Sequence, residues 1–128
     1  RWIDVDALRI RRRDRAAISF SHLYVPEASR PVVAQMNRLR RPSYSLVEQL
    51  HGKVVAEVDQ EAAVAEMPAA AARQLGVERG SPAQVVDRHY VSDAGEVLMA
   101  SRSYYPPGCF AVHVKLRLTG AAPVAAAA

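Results

Sequence analysis

Apolar and polar residues alternate from Val5 to Arg12: Leu8 and Ile10 fall on one side of an extended backbone, Arg9 and Arg11 on the other. That is the period of a half-buried strand. Arg13-Asp14-Arg15 reads as a turn, and Ala17–Tyr24 as a returning strand with Ile18, Phe20 and His22 on one face, ended by Val25-Pro26. Pro31–Leu39 predicts a short helix. Ser45 with Glu48 three residues on has the spacing of a capping box, so a second helix is expected from Ser45 to Gly52. Val54–Ala65 is extended, with Val54, Ala56, Val58 and Gln60 alternating against Val55, Glu57, Asp59 and Glu61. Alanine-rich Ala69–Leu75 predicts a helix opened at Pro68 and closed by Gly76. After the turn Gly80-Ser81-Pro82, Ala83–Val91 and Val97–Tyr105 read as strands joined by a hairpin at Asp93-Ala94-Gly95. Beyond them Phe110, Val112, Val114, Leu116 and Leu118 point one way, and Ala111, His113, Lys115 and Arg117 the other. This predicts a last strand with one wet face. The sum is about six strands, mostly antiparallel, with short helices packed on one side: an α+β architecture.

A chain of 128 residues, half of them apolar, is one domain with enough mass to bury a core. No apolar run approaches the ~18 residues that span a membrane. The start, Arg1-Trp2-Ile3-Asp4, does not read as a signal peptide. The single cysteine, Cys109, forbids an internal disulfide and fits a reducing cytoplasm. The stretch Ala121–Ala128 is nearly all alanine and is expected to fray. Net charge is +4, and Lys53 and Lys115 are the only lysines among the 17 basic residues. The arginines cluster at 9–15 and 38–41 without interleaved aromatics, which weighs against direct nucleic-acid binding by this domain.

Catalytic chemistry finds little support. His22, His51, His89 and His113 lie far apart and none pairs at metal-ligand spacing, so no metal site is expected. There is no phosphate-cradling G-x-x-x-x-G-K and no G-x-S-x-G elbow. Asp87 and His89 share a strand face and could be drawn with Ser101 as a Ser/His/Asp set, but nothing in the spacing supports it. Cys109, in a Pro-Pro-Gly loop, reads as a small residue rather than a nucleophile. Binding is the stronger reading. Arg9 and Arg11, two apart on a strand, would present two guanidinium forks on one face, able to hold a phosphate or carboxylate.

The ordered words Leu75-Gly76-Val77, Gly80-Ser81-Pro82, a central Arg88, Asp93 to Gly95, and Ser101 to Tyr105 resemble the UTRA effector-binding domain of the HutC branch of GntR-family bacterial transcription regulators. The resemblance runs from about Ala7 to Leu118 and implies a chorismate lyase-like fold over residues 1–120. It also implies a homodimer, no cofactor, and a small, anionic effector. DNA recognition would belong to an N-terminal winged-helix domain absent from this chain, and the expected location is cytoplasmic.

In relatives that bind phosphorylated amino sugars, the resemblance places the anion on an R-x-R, here Arg9 and Arg11, and on the serine that caps the following helix, here Ser45. This chain departs from those relatives elsewhere. Their glutamates are replaced by Ser21 and Met99, one tyrosine by Val47, and the tyrosine of the last-strand motif by Phe110. Those exchanges remove partners for an ammonium and for sugar hydroxyls, which argues against glucosamine phosphate and for an acid with a less polar body. Further wall candidates are His22, Ser101, Ser103 and Tyr105. The strand 97–105 offers two faces, Met99/Ser101/Ser103/Tyr105 or Leu98/Ala100/Arg102/Tyr104, and the Met99 face is favoured because a family glutamate occupies that place. The alternatives are an effector-free dimerisation module, a chorismate lyase-type enzyme and a direct DNA binder.

Overall fold

The computed structural model describes residues 1–36 and 42–119. The N-terminal hairpin is built from β1 (Trp2–Ile10) and β2 (Ala17–Pro26). A single 3-10 turn (Glu27–Ser29) leads into α1 (Arg30–Val33), and α2 spans Ser43–His51. Then come β3 (Val55–Glu66), α3 (Ala69–Leu75), β4 (Pro82–Ser92) and β5 (Val97–Tyr105). The strands form one antiparallel sheet in the order β1-β2-β5-β4-β3. β5 is therefore the central strand, and β1 and β3 are the two edges.

The local signals work where they are self-contained. Gly76 closes α3 at φ 70, and Gly95 takes φ 82 in the turn between β4 and β5. Ser92 locks that turn: its N–H donates to the Glu96 carbonyl at 2.8 Å, and its carbonyl accepts from Gly95 N–H at 3.0 Å.

Registers fix which residues share a face. One face carries four cross-sheet rows: Ile3, Val25, Met99, Tyr90 and Val58; Val5, Leu23, Ser101, Arg88 and Gln60; Ala7, Ser21, Ser103, Val86 and Ala62; Arg9, Ser19, Tyr105, Gln84 and Val64. α1 and α2 cover the first row, where Val32, Leu46 and Val47 pack with Val25 and Met99. α3 covers one end of the opposite face, where Met67, Ala71, Ala72 and Leu75 pack on Phe20, Ala83 and Tyr104. Helices thus flank both faces of the sheet rather than one. Two apolar centres, one on each side, hold the sheet by burial of side chains that are almost wholly removed from water. Among the described residues, no helix is long and apolar enough to cross a membrane.

Four expectations change. Residues 110–119 form no strand, and Val112, Val114, Leu116 and Leu118 are exposed. The alternation is present, but a strand needs a neighbour for its N–H and C=O groups, and both flanks of β5 are taken by β2 and β4. The sheet accordingly has five strands. The capping box also fails. α2 starts two residues early with Pro42 at the N-cap, so Ser45 lies inside the first turn, its N–H donating to the Pro42 carbonyl at 3.0 Å. Glu48 instead accepts from Val55 N–H at 2.6 Å, fastening α2 to the start of β3. The helix expected over Pro31–Leu39 is observed as α1, with a turn to Met36; its remainder and the alanine tail lie outside the described residues.

A serine-floored cavity between the sheet and the second helix

On the α2 side of the sheet, beyond the row those helices cover, lies a cavity of about 670 Å³. Its floor is the middle of the sheet: Ser19 and Ser21 from β2, Ser101, Ser103 and Tyr105 from β5, and Arg88 and Tyr90 from β4. β1 contributes Ala7, Leu8 and Arg9. The roof is Met36, Pro42, Ser43 and Tyr44, and one end is closed by Cys109, Phe110 and Ala111. The volume suits a small organic ligand.

Pairing makes this floor polar inside an otherwise apolar sheet. Ser21 stands directly across from Ser103, and their hydroxyls lie 2.7 Å apart. Ser19, Ser101 and Ser103 are buried. Tyr90 stacks on Tyr44 (centroids 5.3 Å apart, planes at 19°), joining floor to roof. Burial pushes the Tyr90 phenol above its ordinary pKa, with Arg88 and a hydrogen bond to Ser101 pulling the other way. At the closed end, Phe110 lies on Tyr105 with centroids 4.8 Å apart. Among the described lining residues the charged side chains are Arg9 and Arg88, and there is no carboxylate. Arg88 is held from the rim, its Nε donating to Gln60 at 2.7 Å. Two guanidinium groups and several hydroxyls can donate hydrogen bonds to the oxygens of an anion.

The structure gathers Arg9, Ser21, Met99, Ser101, Ser103, Tyr105 and Phe110 around this cavity and places the other sequence candidates elsewhere. It also decides the face of β5 left open by the sequence: Met99, Ser101, Ser103 and Tyr105 face inward. Arg11 does not join Arg9. The register shifts between Arg9 and Ile10, and Arg11 turns into a bidentate pair with Asp14, at 3.0 and 2.7 Å. That pair holds the Asp14 carboxyl down to about 2. Ser45 is on α2 but does not line the cavity. Val47 is fully buried in the core. His22 faces the opposite side of the sheet, its Nδ1 2.7 Å from Asp6.

Arg88, Tyr90, Tyr44 and Ser19 are among the lining residues that sequence reasoning missed. Arg88 was visible as a family word, but only the β4–β5 register sets it beside Ser101. Asp87 and His89 lie on the face opposite Ser101, so the Ser/His/Asp arrangement is not assembled. One group that sequence spacing hid is Asp4, Asp6 and His22, whose ligand atoms lie within 4.8 Å of one another on the far face, with both carboxylates exposed.

A family model described as the UTRA domain matches residues 5–110. Among solved structures, a ligand-binding domain assigned to a GntR-family transcriptional regulator from Bordetella bronchiseptica superposes with a TM-score of 0.72 at 21% identity, over 89% of this chain and 72% of that one. A GntR-family transcriptional regulator from Bacillus cereus gives 0.74 at 16% identity, over 89% and 78%. PhnF from Mycobacterium smegmatis gives 0.71 at 14%, over 89% of this chain and 51% of its own length. The chain therefore spans about half of the longer structures it resembles. At these identities the likeness is one of fold. A search of curated protein sequences finds no match.

Proposed function

We propose, given that this chain belongs to the UTRA domain family, that it is the ligand-sensing domain of a cytoplasmic transcription regulator. In this reading it binds a small anionic effector in the serine-floored cavity. Occupancy then biases DNA binding by an attached winged helix-turn-helix domain, and the sensing domain dimerises with a second copy of itself. The observation that carries the anionic reading is the charge of the cavity: Arg9 and Arg88 line it, and no carboxylate does among the described residues.

The floor supports the choice within that class. Met99 and Phe110 stand at the positions where amino-sugar binders carry a glutamate and a tyrosine, so the body of the ligand meets thioether and ring rather than carboxylate and hydroxyl. An organic or aromatic acid fits this lining better than a phosphorylated amino sugar, whose ammonium and hydroxyls would be left unpaired. The moving parts would be those that close the cavity without belonging to the sheet, Met36, Pro42, Ser43 and Tyr44 above it and Cys109 at its end. To act as a signal, the effector must bind one arrangement of them more tightly than the other.

The experiment is a thermal-shift and calorimetric screen with benzoate, short dicarboxylates, acyl phosphates and glucosamine 6-phosphate. A ligand at a hundred times its Kd stabilises the fold by about 2.7 kcal/mol, a rise of roughly 10 °C in Tm for a domain of this size. An acid that gives such a rise, abolished by Arg9→Ala/Arg88→Ala, is the expected result. Tight binding of glucosamine 6-phosphate, or acid binding unaffected by that double variant, would refute the assignment. Absence of any response across the panel would favour an effector-free dimerisation module.

A further inference from the structure

Residues 112–118 alternate as a strand would but pair with none among the described residues, and β3 is a sheet edge without a covering strand. Val112, Val114, Leu116 and Leu118 are 57 to 90% exposed, all on one side of an alternating run whose other side is His113, Lys115 and Arg117. β3 repeats the pattern with opposite charge. Its cavity-side face carries Val58, Ala62 and Val64, with Val58 and Val64 at 47 and 77% exposure, and its other face carries Glu57, Asp59 and Glu61. Among the described residues none of these three carboxylates is in an ion pair. Glu61 even stands directly across from Asp87, an unfavourable like-charge neighbour. A long edge of this kind, apolar on one face and unpaired in its backbone, is a template for strand addition.

We infer that residues 112–118 of one copy add as an antiparallel strand to the β3 edge of a second copy, and reciprocally, giving a two-fold dimer. This rests on the homodimer reading above and assigns its interface. A single register satisfies both faces. It sets His113, Lys115 and Arg117 opposite Glu61, Asp59 and Glu57. The same register sets Val112 opposite Ala62 and Leu116 opposite Val58, where they cover the exposed edge. Apolar pairs close on one side, opposite charges close on the other, and the edge gains its missing backbone partners.

The geometry points to another copy rather than to this one. Phe110 is anchored on Tyr105, at the end of the central strand. A strand added outside either edge of the same sheet would lie three strand spacings from there, about 14 Å. The two residues from Phe110 to Val112 span at most ~7 Å, so Val112 cannot sit beside its own Ala62. β1 is the poorer acceptor because its carboxylates, Asp4 and Asp6, already face His22, at 3.6 and 2.7 Å. Reciprocal exchange uses the same two surfaces on each protomer, as a closed two-fold requires.

Analytical ultracentrifugation of the 128-residue chain tests this with two charge-reversed proteins, Lys115→Glu/Arg117→Glu and Glu57→Lys/Asp59→Lys. All four positions are exposed, so circular dichroism and Tm should match the parent; Lys115→Gln/Arg117→Gln serves if a reversal perturbs folding. Each variant alone is expected to dimerise about tenfold or more weakly. Mixed in equal amounts they should form a heterodimer of parental affinity, because one interface is then native and the other fully reversed. Pairing within one chain cannot be rescued by mixing. A parental dimer that both reversals leave intact would overturn this interface while leaving the homodimer standing. Weakened variants that mixing does not restore would also overturn it. A parent that stays monomeric at high concentration would overturn both.

Discussion

Ser21 and Ser103 give a prediction that runs against exposure. Ser21 is half-buried on the cavity floor, whereas Ser103 is only 4% exposed, and their hydroxyls are 2.7 Å apart. Ordinary burial reasoning would make Ser103→Ala the more damaging change. The hydrogen bond reverses the order. Ser21→Ala leaves the Ser103 hydroxyl buried without its partner, and an unsatisfied buried hydroxyl costs about 1–3 kcal/mol. Ser103→Ala leaves the Ser21 hydroxyl facing the cavity, where water can replace the lost bond, so the cost falls below about 1 kcal/mol. Removing both takes away the bond and the stranded group together, and the double variant should be close to the parent. Urea unfolding of the four proteins measures this as a cycle, with an expected coupling of about 1 kcal/mol and unchanged m-values. Additive costs, or Ser103→Ala as the worse single change, would show that the pair does not hold the floor together as described.

Two further outcomes test the frame around the cavity. Met67 is 1% exposed at the centre of the α3 cluster, with its N–H and carbonyl bonded to Ser81 and Gly80, so Met67→Ala should cost about 2–5 kcal/mol in urea unfolding. Its proposed ligand affinity should be retained at temperatures where the variant is folded. Arg102 donates to both Asp87 oxygens, at 2.7 and 2.9 Å, and holds that carboxyl below its ordinary pKa. A lowered folded pKa means stability that is present above the unfolded pKa, near 3.9, and is lost as pH falls through the folded value. Arg102 is half-exposed, so the pair is worth only about 0.5 kcal/mol. The stability gap between the parent and Arg102→Ala should be constant above about pH 5 and close toward pH 2; a gap that widens on acidification would contradict the assignment.

The locally encoded parts of this protein were legible in its sequence. Five of its strands, the hairpin at Asp93 to Gly95 and the helix between Pro68 and Gly76 follow from alternation, turn chemistry and a left-handed cap, each settled within a few residues. The α+β class follows from their order. Even the apolar-and-basic alternation of residues 110–118 is read correctly as a pattern. What the sequence does not contain is a neighbour for it, and a strand exists only when another strand accepts its hydrogen bonds. Sites are decided in the same way. Arg9 and Arg11 are two apart, but a register shift after Arg9 and the nearby Asp14 separate them. His22 and Ser21 are adjacent, yet the pleat sends one to Asp6 and the other to Ser103. The pairing of β2 with β5 joins residues some eighty positions apart, and it alone turns scattered serines into a single floor. Period and propensity act between near neighbours; which faces meet is a property of the whole sheet, set by long-range pairing and burial.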